Sequence, residues 1–118
     1  MSATPTVVEV KEIGEFVLVS DALVADRIAD ALEEVQGKIA AQVELDPDFS
    51  ISDRRQWQLI GYRACSLLAL TERKLQAESG DGLSGTYEGT EGRFRREFER
   101  AWSRALGGVN AFTAGSQI

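Results

Sequence analysis

Trp57, Ile60, Ala64, Leu67, Leu68, Thr71 and Leu75 recur at the spacing of one helical face, and no other feature limits the fold as tightly. At about 100° per residue, Leu59 and Leu70 fall on the opposite side of the same helix. A helix that is apolar on two sides either sits at the centre of a bundle or keeps one face for a partner. Ser52 or Asp53 caps this helix, Glu78 lies near its end and Gly80 follows it, the usual order of start and stop signals. Cys65 lies beside the main stripe and reads as a small core residue.

An earlier stretch repeats the period. Val24, Ile28, Ala31, Leu32, Val35 and Ile39 share one face, with Asp26, Asp30, Glu33 and Glu34 elsewhere around the helix. Ser20 and Asp21 are suited to cap its start. The helix is expected to run to about Val43, before Asp46-Pro47-Asp48, because proline cannot continue the hydrogen-bond ladder. Ahead of it, VVEVKEIGEFVLV at 7–19 is rich in β-branched residues and predicts a short strand or an extended arm.

The glycine-rich stretch SGDGLSGTYEGTEG, 79–92, predicts a loop with a short hairpin around Leu83 to Tyr87. Its Gly80, Gly82 and Gly85 spell G-x-G-x-x-G, but a dinucleotide site needs a strand before the glycines and a doubly wound domain after them. Here a helix precedes them and too little chain remains. A third helix is expected from Thr90 or Glu91 to Leu106, stopped by Gly107-Gly108, and the last ten residues, VNAFTAGSQI, carry no charge. The expected fold is therefore mainly α: a small three-helix bundle at 21–106, an N-terminal arm or strand at 1–20, a glycine-rich, hairpin-forming excursion before the last helix, and an extended tail at 107–118. Its expected core is Phe94, Phe98, Trp102, Trp57, Ile60, Leu67, Ile28, Leu32 and Val35.

Composition narrows the chemistry. There is no histidine and one cysteine among 118 residues, which excludes His-based zinc sites, Ser-His-Asp triads, Cys-His dyads and an intramolecular disulfide. No acidic residues cluster at metal-ligand spacing, so no metal, cofactor or enzymatic activity is expected. No apolar run reaches the roughly 20 residues of a membrane span, and MSATPTVVEV lacks the basic and apolar regions of a signal peptide. A lone cysteine fits synthesis in a reducing cytoplasm.

Charge is unevenly spread. Residues 1–50 hold 11 acids and 3 bases, while residues 51–118 hold 8 acids and 10 bases. Opposite-signed halves can attract copies of one chain head to tail. Half of the ten arginines lie in one run, GRFRREFERAW at 92–102 together with Arg104. On a helix, Arg93, Arg96, Arg100 and Arg104 fall within roughly 80° of arc. Phe94, Phe98, Ala101, Trp102 and Ala105 occupy the other side. A platform for stacking bases needs aromatic and basic groups on one surface, so the pattern leans toward a solvated face or a protein interface. The acidic balance of the chain points the same way.

Three segments together resemble the head–tail connector (adaptor, or head-completion) proteins of tailed bacteriophages. They are EFVLVSDALVADRIADALEEV at 15–35, QLIGYRACSLLAL at 58–70 and GDGLSGTYEGTEGRFRREFERAW at 80–102. The resemblance covers most of residues 15–106. It implies a non-enzymatic virion protein, made in the host cytoplasm, that forms a ring at the head–tail interface, dodecameric on the portal. Such a ring extends the DNA channel without binding DNA specifically, and a tail-side connector, stopper or tail-terminator protein docks on it. It also implies that a C-terminal segment holds the portal, here Val109, Asn110, Phe112 and Ile118. The candidate subunit or partner interface comprises Leu59, Leu70, Arg93, Arg96, Arg100 and Arg104. Two other readings stand beside it: a small DNA-binding regulator using the arginine helix, and a generic helical protein-interaction module.

Overall fold

The computed structural model describes residues 3–16, 18–79 and 84–107. Four helices follow one another: α1 (Val7–Gly14), α2 (Asp21–Leu45), α3 (Asp53–Ser79) and α4 (Ser84–Ala105). The protein is mainly α-helical, with no strand among the described residues. α3 packs against each of the other three and most extensively against α4. Its two-sided apolar pattern is thus the signature of a central helix.

α1 replaces the expected strand or arm. Thr6 and Glu9 form a reciprocal capping box: the Thr6 N–H donates to Glu9 Oε1 at 2.9 Å, and the Glu9 N–H donates to Thr6 Oγ1 at 3.2 Å. Two amide donors of the first turn are satisfied in this way. Val10 is then fully buried against the core, and that burial outweighs the strand preference of the valines around it. Glu15 closes the helix in the left-handed region at φ 58°. The chain turns there, and Phe16 is buried.

α2 starts as expected, with Ser20 Oγ accepting from the Leu23 N–H at 3.2 Å, and runs two residues past Val43. Ser52 Oγ accepts the Arg55 N–H at 3.1 Å to open α3. The hairpin expected around Leu83 to Tyr87 does not form from Ser84 onward, because residues 84–87 already belong to α4; Leu83 lies outside the described residues. Each interior glycine costs a helix about 1 kcal/mol, but Gly85, Gly89 and Gly92 share one face, and the packing of α4 on α3 overrides the local preference. The end of α4 falls where expected, with Gly107 at φ 108°, a conformation that glycine adopts without steric cost.

The core combines Val10, Phe16, Val24, Ile28, Ala31 and Val35 with residues of α3 and the buried face of α4. Of the expected core, Phe94, Phe98, Ile60, Ile28 and Val35 are buried, whereas Leu32, Leu67 and Trp102 pack at its edge and Trp57 is half-buried. Tyr62 stacks on Phe94 at 6.4 Å, and Phe49 from the α2–α3 loop meets Trp102 edge-on at 6.1 Å.

Candidate functional site

α4 divides cleanly into two faces. Phe94, Phe98 and Ala101 are buried, while Arg93, Arg96, Arg100 and Arg104 are all exposed. The expected separation of aromatics from arginines therefore holds for these residues in three dimensions: Phe94 and Phe98 are buried and not open to stacking bases, while the arginines face outward. Arg93 places its guanidinium 4.6 Å from the Phe94 ring centre, a cation–π contact at the edge of the core. Arg100 pairs with Glu97 at 3.5 Å, and Arg95 approaches Glu91 at 4.0 Å. Arg96 and Arg104 form no ion pair among the described residues.

Leu59 requires a correction. It is fully buried within this chain as part of the core and offers nothing to a neighbour, because α3 is packed on by the other three helices. Leu70 is half-buried. Val109, Asn110, Phe112 and Ile118 lie outside the described residues. Among the described residues the large exposed apolar side chains lie elsewhere: Leu18 is 98% exposed, Leu45 82%, Val8 64% and Val43 38%. The positions of Val8 and Leu18 follow from α1, which a reading of 7–19 as a strand does not place, whereas Leu45 ends α2.

Two concave surfaces stand out. One, of about 300 Å³, is lined by Ser52, Arg54, Arg55, Gln58 and Arg104. Its walls are mostly polar, and it lies where the start of α3 meets the end of α4. Arg55 Nη1 donates to Gln58 Oε1 at 2.8 Å, and none of the three arginines has an ion-pair partner among the described residues. The signal was legible as Arg54-Arg55 beside a helix start, but only the packing of α4 on α3 adds Arg104. The other is a wide, largely apolar groove of about 430 Å³, lined by Val8, Lys11, Glu12, Glu15 and Asp21. Lys11 Nζ pairs with Asp21 Oδ1 at 2.8 Å. Glu12 and Glu15 are left exposed and without an ion pair among the described residues.

Polar ties fix the helices that carry these surfaces. Arg63 reaches from α3 to Glu34 of α2 at 2.9 Å and also donates to the fully buried Ser66 at 3.1 Å. Lys38 of α2 lies 5.1 Å from the Trp102 ring centre and 5.9 Å from that of Phe98, joining α2 to α4 through cation–π contacts. Trp57 Nε1 donates to Glu9 Oε1 at 3.3 Å. The Thr6 backbone N–H, followed by the Trp57 indole, holds the Glu9 carboxyl below its ordinary value of 4.5.

Cys65 is fully buried, and burial pushes its thiol up to about 12 despite the nearby Arg93. At neutral pH it stays protonated and is a poor nucleophile. Among the described residues no group of three or more cysteines and carboxylates is placed to hold a metal ion, and no helix is long and apolar enough to cross a membrane. No protein-family model, curated protein or solved structure matches the chain.

Proposed function

We propose that this chain is a non-enzymatic structural subunit of a tailed-phage virion, a head–tail connector that assembles as a ring beneath the portal. The observation that carries the reading is the exposed arginine stripe of α4 on a bundle whose α1 and α2 present carboxylates without an ion pair among the described residues, Glu12, Asp26 and Glu33 among them. Rings of identical subunits close through heterologous contacts, in which two different surfaces of one chain meet. Oppositely charged surfaces on separate helices suit such contacts. The four helices interlock through α3, so those surfaces are held at fixed separations. The order of features along residues 15–106 supports the same reading.

In this reading the ring joins the portal to a tail-side connector, stopper or tail-terminator protein, and the net charge of −6 discourages DNA phosphates from adhering to it. The chain beyond Gly108, with Phe112 and Ile118, carries the portal contact. The test is affinity capture from a lysate of the native source, run with the full chain and with a chain ending at Gly108. Capture of a ring-forming portal protein by the full chain, and its loss on truncation, is expected. Equal capture by both chains would remove the tail from the assignment, and absence of any portal protein would overturn the reading. Recovery of duplex DNA that dissociates steeply with salt would point instead to a DNA-binding regulator.

A further inference from the structure

We propose that the arginine cluster Arg54, Arg55 and Arg104 of one copy seats in the α1 groove of a second copy, where Glu12 and Glu15 receive it. This contact deepens the ring reading and rests on it for its closed geometry. The groove combines largely apolar walls with the carboxylates of Glu12 and Glu15, which have no ion pair among the described residues, beside the Lys11–Asp21 pair. Arginine is the complement of such a surface: its aliphatic stem covers apolar area while its guanidinium bonds a carboxylate through two parallel N–H groups. Lys11 does not fill this role from within, because Asp21 already holds it at 2.8 Å. The rim therefore keeps the charge of Glu12 and Glu15, and the cluster keeps the charge of three guanidinium groups.

Among the described residues the two surfaces form no ion pair with each other within one chain. Arg54 and Arg55 lie in the first turn of α3, whereas a side chain at Gly14, near the end of α1, would approach Cys65 Sγ at 3.1 Å. Ile13, beside Glu12, packs at Gly61; the seven residues from Arg54 to Gly61 correspond to about 10 Å along the α3 axis and the eleven to Cys65 to about 16 Å, both beyond a Debye length of about 8 Å at physiological salt. One molecule thus carries both halves of a complementary pair, well separated, as a head-to-tail contact requires. Val8, 64% exposed in the groove, and Leu18, 98% exposed on the turn after α1, supply apolar area that such a contact would cover.

The test uses two charge-reversed full-length variants, R54E/R104E and E12K/E15K, in sedimentation velocity at low and high ionic strength. The wild-type chain is expected to self-associate at low salt and dissociate at high salt. Each variant alone is expected to lose at least about tenfold in self-association, because like charges then face one another. Mixed together, the two variants should regain assembly as alternating copies, since the intact groove meets the intact arginine cluster and the reversed groove meets the reversed cluster. A chain carrying all four reversals should regain assembly.

Circular dichroism checks that each variant folds, and E12Q/E15Q and R54Q/R104Q replace any that does not. Variants that associate like the wild type, a mixture that does not associate, or a wild type monomeric at low salt across the concentration range would each overturn the contact. So would association that appears only with added duplex DNA, which would assign the arginines to phosphates. A chain monomeric by itself yet captured by the portal ring would refute this contact and leave the connector reading standing. Assembly through the contact without portal capture would do the reverse.

Discussion

α1 and α4 both pack on α3, yet different physics holds each of them. α4 buries Phe94, Phe98 and Ala101 along its length, so burial of large apolar area secures it. α1 has eight residues and one fully buried side chain, Val10, and relies on a capping box, the Glu9–Trp57 hydrogen bond and the Lys11–Asp21 pair. A helix this short is not stable alone in water; its geometry depends on a few directional contacts. The contrast separates the part of the molecule that supplies stability from the part that gives a surface its shape.

The largest effect is expected at α4. Phe94→Ala should lower unfolding free energy by about 3–5 kcal/mol, read from denaturant midpoints, because the ring is nearly fully buried and stacked on Tyr62. A loss no greater than that of a capping substitution would erase the distinction between the two helices. Next comes Gly14→Val. Any Cβ there would come within 2.2 Å of the Phe16 ring and 3.1 Å of Cys65 Sγ, so a cost of about 1–3 kcal/mol is expected from overpacking. It should be accompanied by faster amide exchange in α1 than in α3, because local opening would be confined to the short helix.

Thr6→Ala should cost about 1 kcal/mol, also in α1, with the near-ultraviolet signal of Trp57 altered as Glu9 loses its partner. The smallest effect is the pH dependence of Glu9. Its folded carboxyl lies below the ordinary value, so the stabilisation is present at neutral pH and is lost as pH falls below about 4.5 and through the folded value. The stability difference between wild type and Glu9→Gln should therefore vanish in acid; a difference that persists would assign it to packing. Cys65 provides a further check on α1. Its thiol should resist alkylation at pH 8 in the folded chain and react once α1 is displaced, as in Gly14→Val.

Much of the bundle is readable from periodicity. The faces of α2 and α3 and the split of α4 into aromatic and arginine sides follow from residues recurring at the helical repeat, a local property of the chain. The α1 helix was also written locally, as Thr6-x-x-Glu9 ahead of an apolar run, but the β-branched residues at 7–19 compete with that signal. Propensity and capping are each worth about 1 kcal/mol, so burial of Val10 decides between them. Leu59 teaches the same lesson in reverse: a wheel shows that it lies opposite the main stripe, but not whether a neighbouring helix of the same chain covers it.

The candidate site was legible only in part. The exposure of Arg93, Arg96, Arg100 and Arg104 was readable because it depends on one helix. The meeting of Arg104 with Arg54 and Arg55 was not, because those residues are some fifty positions apart and meet through the packing of α4 on α3. The sequence alone determined that this chain is helical, that α3 is apolar on two sides and that its charge is divided, since each depends on residue type and spacing. Tertiary structure decided which apolar side chains remain outside and which charges gather into one pocket. Those outcomes depend on contacts between distant segments, whose energies no local pattern contains.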